Sequence, residues 1–449
     1  MRIIIAGAGE VGSHLAHLLS SQMQEITLID LDNDKLKTMS NKSDITTING
    51  DATSIELLKE LDINKIDMFI AVTASDSANF TAAVLAKKWG AKKTLARLGN
   101  PEYLKEDVKK ELQVLGIDEV ISPEALAARE IVNLISFPNY NQAYRFDNGE
   151  LQLLGKALKA EAPIVNLTIQ ETVQNFPDVP FITILIQRKK NKKTIIPRGN
   201  TKFQAGDQVY FITTQEGVQH LQQLTGEAHT KIKTIAIVGG GMLGKKTAKL
   251  LNQEGYYVKL FEKDKRKADQ LTNELGSKTM VINGDGRDTQ LLKDEVSASS
   301  DALIALTGNS EANIMSCLFA NTEGIKKTIA LVENTGYLLL SQDIGVDSLV
   351  NKKFLAASKI VRYIRKGDVL AIANVKNTKA EVLEFEVHFD SKIIGKRLSD
   401  ISLPRNSVIG GVMRNHKGYL PNGDFQIQDR DHVIVFCLPE AISSIEDLF

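Results

Sequence analysis

The sequence predicts an α/β protein in which two Rossmann-like doubly wound parallel-sheet domains alternate with two small α+β domains. Three observations carry this reading. A glycine fingerprint, Gly7-Ala8-Gly9-Glu10-Val11-Gly12, recurs 232 positions later as Gly239-Gly240-Gly241-Met242-Leu243-Gly244. Each copy follows a short β-rich run and opens a helical pattern, and such runs keep alternating, as right-handed βαβ units do. The segments after each Rossmann unit repeat too: Pro197, Gly199 and Asp207 match Pro421, Gly423 and Asp431 at an offset of 224.

Taken in order, the first unit has strands expected near 2–6, 26–30, 45–48, 67–72, 93–97 and 119–121. The first runs straight into the glycine loop. The second ends in an acid, Asp30, and its counterpart over Tyr257–Glu262 does the same at the offset of 232. Asn49-Gly50-Asp51 then matches Asn283-Gly284-Asp285, and Ala71-Val72-Thr73 matches Ala305-Leu306-Thr307, at an offset of 234. Ser122-Pro123 supplies an N-cap and a favoured first helical residue. In the helix it starts, Ala128, Ile131, Val132 and Ile135 recur at helical spacing, and Ala357, Ile360, Val361 and Ile364 repeat the strip. Such a strip needs a partner surface, in its own domain or on another Rossmann unit. The β-rich segments end on the strands Val209–Ile212 and Val433–Phe436. The expected domains are 1–123, 140–225, 232–350 and 367–449, with a polar linker over 226–230.

Composition sets the bounds. A chain of 449 residues, 43% hydrophobic and 24% charged, is long enough for several cores and should fold throughout. Zero formal net charge offers no broad field for nucleic acid or an anionic membrane. No run of eighteen apolar residues is present, so no spanning helix or direct membrane insertion is expected, and the first strand is too short for a signal peptide. Cys317 and Cys437 are too few for a disulfide framework and read as buried thiols in a reducing compartment.

The glycine spacing has a mechanical purpose. The first glycine permits the strand-to-helix turn, the second admits pyrophosphate to the backbone, and the third packs helix on strand, with the helix N-terminus facing the phosphates. Asp30 and Glu262, at the ends of the second strands, suit ribose hydroxyls and would repel a 2′-phosphate, favouring NAD or an adenosine nucleotide over NADP. Asp51 and Thr73 fall at carboxyl strand ends where such sheets bind ligands, or serve as local turns and caps. Arg97 can face pyrophosphate, whereas its counterpart is Leu331, so the two sites should differ. Lys245 and Lys246 read as solvated helix lysines. An NAD-dependent oxidoreductase would need a proton donor or acceptor beside the nicotinamide, and the histidines are scattered; His14 and His17 read as packing or surface residues. The basic run Arg188–Lys193 reads as a solvated hairpin tip.

These motifs, with Leu95-Ala96-Arg97 and Gly116-Ile117-Asp118 through Ser122-Pro123-Glu124, resemble over nearly the whole chain the TrkA family of regulatory subunits of bacterial Trk potassium uptake systems. The resemblance implies RCK N-terminal (KTN) and RCK C-terminal domains, and a non-enzymatic regulator. It implies NAD or NADH as ligand, with ATP or ADP at the same sites. It also implies a homo-oligomer, a dimer or tetramer ring, that is cytoplasmic and peripheral on the inner face of the membrane through a potassium-translocating subunit of the Trk type. No nucleic acid is expected. Carried over by position, the first site comprises Gly7, Ala8, Gly9, Glu10, Val11, Gly12, Asp30, Asp51, Ala52, Thr73 and Arg97. The second comprises Gly239, Gly241, Met242, Leu243, Gly244, Glu262, Asp285 and Thr307. The alternatives are an NAD-dependent oxidoreductase and a nucleotide-sensing adaptor of another transporter.

Overall fold

A computed structural model describes the chain apart from residues 21–23, 42–43, 147–148, 227–229, 298, 335–336, 338–344, 365–368, 375–377 and 379. The core of the expected linker, 227–229, and the first residues of the expected last domain lie outside the described residues.

The first sheet consists of β1 (Arg2–Ala6), β2 (Glu25–Asp30), β3 (Thr46–Asn49), β4 (Met68–Ala71), β5 (Lys93–Arg97) and β6 (Glu119–Ile121). Its order is β3-β2-β1-β4-β5-β6, with every pair parallel. The helices between are α1 (Glu10–Ser20), α2 (Asn33–Ser40), α3 (Ile55–Glu60), α4 (Asp76–Lys88) and α5 (Glu106–Val114), followed by α6 (Pro123–Ser136). The central strands β1 and β4 are buried on both faces, which is why they read as continuous apolar runs. Ser122 Oγ accepts the Ala125 N–H at 3.3 Å, the cap expected of it.

An antiparallel sheet follows, formed by β7 (Gln142–Phe146), β8 (Leu151–Ala157), β9 (Ile182–Gln187), β10 (Thr194–Ile195) and β11 (Gln208–Thr214), in the order β10-β9-β11-β8-β7. It carries α7 (Ile169–Asn175) and α8 (Gly217–Thr225). The second repeat reproduces both sheets. Its parallel sheet has β12 (Thr234–Val238), β13 (Tyr257–Glu262), β14 (Thr279–Asn283), β15 (Ala302–Ala305), β16 (Lys327–Leu331) and β17 (Ser348–Val350), in the order β14-β13-β12-β15-β16-β17. Its helices are α9 (Met242–Gln253), α10 (Lys265–Leu275), α11 (Thr289–Leu292) and α12 (Ser310–Thr322), and then α13 (Lys352–Ile364). The last sheet has β18 (Val369–Asn374), β19 (Glu381–Glu386), β20 (Ser407–Arg414), β21 (Lys417–Tyr419) and β22 (His432–Cys437), in the matching order β18-β19-β22-β20-β21, before α14 (Ile442–Glu446).

The chain forms two compact units, Met1–Ala128 with Asn351–Arg365, and Arg129–Val350 with Lys366–Phe449. The first unit therefore takes α13 from the second repeat. Its strip Ala357, Ile360, Val361 and Ile364 lies in one apolar core with Ile3, Ile5, Val11, Leu15 and Leu19. Of the two partner surfaces open to such a strip, this helix uses the other repeat's Rossmann domain. Ile360 is fully buried, so truncating it to alanine would cost about 2–5 kcal/mol. Ion pairs rim the packing: Lys353 to Glu10 at 2.7 Å and Lys359 to Glu119 at 2.9 Å.

Within the second unit the two small sheets share a core that includes Phe146, Leu151, Ile184 and Tyr210 with Val382, Met413, Ile434 and Phe436. The repeated acids Asp207 and Asp431 are buried, and each meets an arginine: Arg188 for the first and Arg414, at 2.7 Å, for the second. The hairpin between β9 and β10 is exposed over 189–193, as expected of a solvated tip, but its first cation, Arg188, turns inward to neutralise a buried carboxylate. Cys317 and Cys437 are buried, and burial pushes the Cys317 thiol far up. Among the described residues no helix is long and apolar enough to cross a membrane.

Candidate nucleotide site

The first glycine loop divides its labour. Gly7, at φ +111°, makes the turn out of β1, and its N–H donates to Ile29 O at 2.7 Å. A Cβ on Gly12 would overlap Gly7 O, so this glycine lets α1 sit tight against the loop. A Cβ on Gly9 would meet nothing within 4 Å, so this face of the loop is open. Ala8 lies beneath that face, its N–H donating to Asp30 Oδ2 at 2.5 Å, while Asp30 Oδ1 accepts from Asp32 N at 2.8 Å. Each Asp30 oxygen retains a further lone pair.

Asp51 Oδ1 accepts from both the Thr53 N–H and hydroxyl at 2.8 Å, forming a local turn at the end of β3. Thr73 is held by a residue that the sequence reasoning missed. Its N–H and hydroxyl donate to Asn79 Oδ1 at 2.8 and 2.7 Å, and Asn79 Nδ2 donates to Thr73 O and Arg97 O at 3.1 and 2.9 Å. Fully buried, Asn79 ties together the carboxyl ends of β4 and β5. The signal was present, for Asn79 recurs as Asn313 at the same offset as Thr73 and Thr307.

Above these strand ends lies a cavity of about 480 Å³. Gly9, Glu10, Val11, Asp30, Asp51, Ala52, Thr73 and Arg97 all line it, while Gly7, Ala8 and Gly12 build the floor from below. Lys35, Glu124, Lys352 and Lys353 also line it and were not foreseen as site residues. Lys35 leans on Asp32 at 3.1 Å. Arg97 Nη2 is 3.4 Å and Lys352 Nζ 3.8 Å from Glu124 Oε1. The two α13 lysines come from the other repeat, and no local pattern around the first loop announces them. Burial, His17 and Lys353 together hold the nearby His14 below the usual imidazole value.

The second loop keeps the scaffold: Gly239 makes the turn at φ +107°, Gly244 packs under Gly239 O, and Gly241 faces open space. Asn313 holds Thr307 and reaches Leu331 O at 2.9 Å, as Asn79 does in the first repeat. The side chains around it differ. Glu262 is buried, with Oε2 accepting from Gly240 N at 3.1 Å and Lys267 Nζ at 3.0 Å, and Oε1 from Asp264 N at 3.0 Å. Burial works against its charge, but those bonds outweigh it and keep the carboxyl below the usual range. Arg287 grips Asp285 through two nitrogens at 2.6–3.1 Å and pulls its carboxyl down to about 2. Met242 is exposed, and Leu243 and Leu331 are buried. Lys245 lies at the surface in an exposed pair with Glu274, as expected of a solvated lysine, whereas the Lys246 ammonium is buried. No cluster of metal-ligating side chains occurs among the described residues.

Sheet order, loop and strand-end acid define the class: a tandem Rossmann-fold protein with two dinucleotide-type glycine loops. The TrkA-N domain family matches residues 3–123 and 235–352, and the TrkA-C domain family matches 157–226 and 382–449. The chain belongs to the TrkA family. It is 31% identical over its whole length to the Trk system potassium uptake protein TrkA homolog of Archaeoglobus fulgidus, covering all of that protein. It is 32% identical to the Trk system potassium uptake protein TrkA of Haemophilus influenzae, covering 100% of this chain and 98% of that one. A solved GsuK channel bound to NAD shares the fold, with a TM-score of 0.61 and 15% identity over 100% of this chain and 78% of that one.

Proposed function

We propose that this chain is a nucleotide-sensing regulatory subunit, not an enzyme, which gates a membrane potassium-translocating partner of the Trk type. The observation that carries the reading is the open face of Gly9 under a cavity bounded by Asp30 on β2 and Arg97 on β5. In this reading the glycine loop and the α1 N-terminus take the phosphates, Asp30 takes the ribose hydroxyls, and Arg97 faces phosphate charge, with Asp51, Ala52 and Thr73 shaping the entrance. NAD or NADH, and ATP or ADP, are the ligands. Gly239, Gly241, Met242, Leu243, Gly244, Glu262, Asp285 and Thr307 form a second, weaker site.

Membership of the TrkA family and the names of its relatives support the potassium-uptake context. The protein works as a homo-oligomer, a dimer or tetramer ring, peripheral on the cytoplasmic face through its partner. A ligand shifts the gate only by binding two arrangements unequally, so dinucleotide and mononucleotide ligands are able to oppose one another. The test is potassium flux into liposomes containing the cognate membrane subunit, with and without this protein, across NAD, NADH, ATP and ADP. Nucleotide-dependent flux is expected; flux indifferent to both protein and nucleotide would remove the regulator reading.

A further inference from the structure

We propose that Lys352 and Lys353 on α13, supplied by the second repeat, are specificity-determining residues of the first-repeat cavity. They recognise the terminal phosphate of an adenine nucleotide and so distinguish a nucleoside triphosphate from a dinucleotide. This rests on the nucleotide reading above and adds what the far end of that cavity selects.

Topology orders the cavity. Asp30 ends β2, the glycine loop follows β1, and Arg97 ends β5, with sheet order β2-β1-β4-β5 between them. Three strand intervals at the usual spacing place the β2 and β5 ends about 14 Å apart. A ligand with its ribose at Asp30 and its first phosphates over Gly9 therefore extends its remainder toward β4 and β5. For a triphosphate that remainder is a multiply charged phosphate; for a dinucleotide it is a second, uncharged ribose and its base.

The far end is built for the first of these. Arg97 and Lys352 meet at Glu124 there, and Lys353 with Glu10 continues the cluster back to the glycine loop, three cations against two carboxylates. All three cations are shielded, with side-chain exposures of 28%, 26% and 17%. Only Lys353 is closely paired, at 2.7 Å from Glu10; Arg97 and Lys352 share one oxygen of Glu124 at 3.4 and 3.8 Å. A partly buried cluster with surplus positive charge and two loose contacts is under-neutralised, and a terminal phosphate supplies both the missing charge and several acceptors. The oxidised nicotinamide ring carries positive charge and would meet like charge.

The repeat shows that this gathering is particular to the first cavity. With α6 and α13 aligned on Ile131 and Ile360, Glu124 corresponds to Lys353, so the helices are charge-reversed at this position, and Arg97 corresponds to Leu331. Phosphate recognition in the first repeat thus draws on a helix that the second repeat contributes.

The test is calorimetric titration of the full-length protein with ATP, ADP, NAD and NADH, comparing wild type with the double variant Lys352→Gln/Lys353→Gln. ATP affinity should fall about tenfold or more while NAD affinity changes by less than about threefold. Lys359→Gln, on the same helix but paired with Glu119, should leave all four ligands unchanged, and Lys353→Arg should retain the ATP preference. Equal losses for ATP and NAD, or no loss for either, would overturn the proposal while leaving nucleotide binding intact. Failure of the wild-type protein to bind any of the four would instead overturn the nucleotide reading, and this proposal with it.

Discussion

The two glycine loops are built alike and furnished differently. In both, one glycine turns the chain, one faces open space, and a buried asparagine, Asn79 or Asn313, pins the threonine loop to the neighbouring strand end. Around that shared frame the first repeat keeps its acids available: Asp30 is half-buried, and Asp51 is engaged only by its own turn through Thr53. The second repeat uses its acids internally. Glu262, one methylene longer, is buried beneath the loop against Lys267, and Arg287 in the position of Thr53 clamps Asp285. Backbone scaffolding persists because each of its contacts is needed to close the fold, whereas a few side chains suffice to redirect a site.

The largest effect expected from breaking this contrast lies at the open glycines. Gly9→Val should weaken nucleotide binding by about 100-fold, near 2.7 kcal/mol, while the melting temperature stays put because nothing lies within 4 Å of the new Cβ. Gly241→Val, equally tolerated by the fold, should change the tightest measured affinity by less than about threefold. Equal losses in a calorimetric titration of the two variants would mean that the repeats share the work.

Arg287→Thr sharpens the contrast by giving the second repeat the residue of the first. Freed of the guanidinium, Asp285 should rise from about 2 toward the ordinary carboxylate value near 3.9, as read by carboxyl NMR titration. The sign follows: a depressed folded-state value adds stability above the unfolded value, lost as pH falls from about 4 to about 2. The pair is at the surface, so that contribution is under about 1 kcal/mol. Nucleotide affinity at the second loop should rise up to about tenfold, and an unchanged affinity would show that Asp285 plays no part in binding.

The smallest expected effect concerns His14, whose counterpart on α9 is Lys246. Held below its ordinary value by burial, His17 and Lys353, it is more readily protonated in the unfolded chain. Stability should decline as pH drops below about 6.5, by under about 1 kcal/mol given its partial exposure. His14→Leu should flatten that part of a denaturation-against-pH curve, and an unaltered slope would assign it to other groups.

Much of this architecture was legible in the residues, for definite reasons. Glycine spacing, strand-end acids and N-caps are local, so β1, β2 and the start of α6 could be placed within a residue or so. The apolar strip of α13 announced that it needed a surface but not which one, since periodicity encodes a face and not its partner. The roles of Arg188 and the α13 lysines stayed hidden for the same reason: a basic residue reads as solvated until the fold brings a carboxylate to it, as with Asp207, Glu10 and Glu124.

β17 ends at Val350 and α13 begins at Lys352, yet the two belong to different compact units. Covalent order and packing order part company at that point. A fragment ending before the second glycine loop would retain every strand of the first sheet while leaving bare the α1 surface that Ile360 and Ile364 cover. α13 is packed on a sheet it does not follow in sequence, so severing the connection removes a wall of the first cavity and not merely a neighbour.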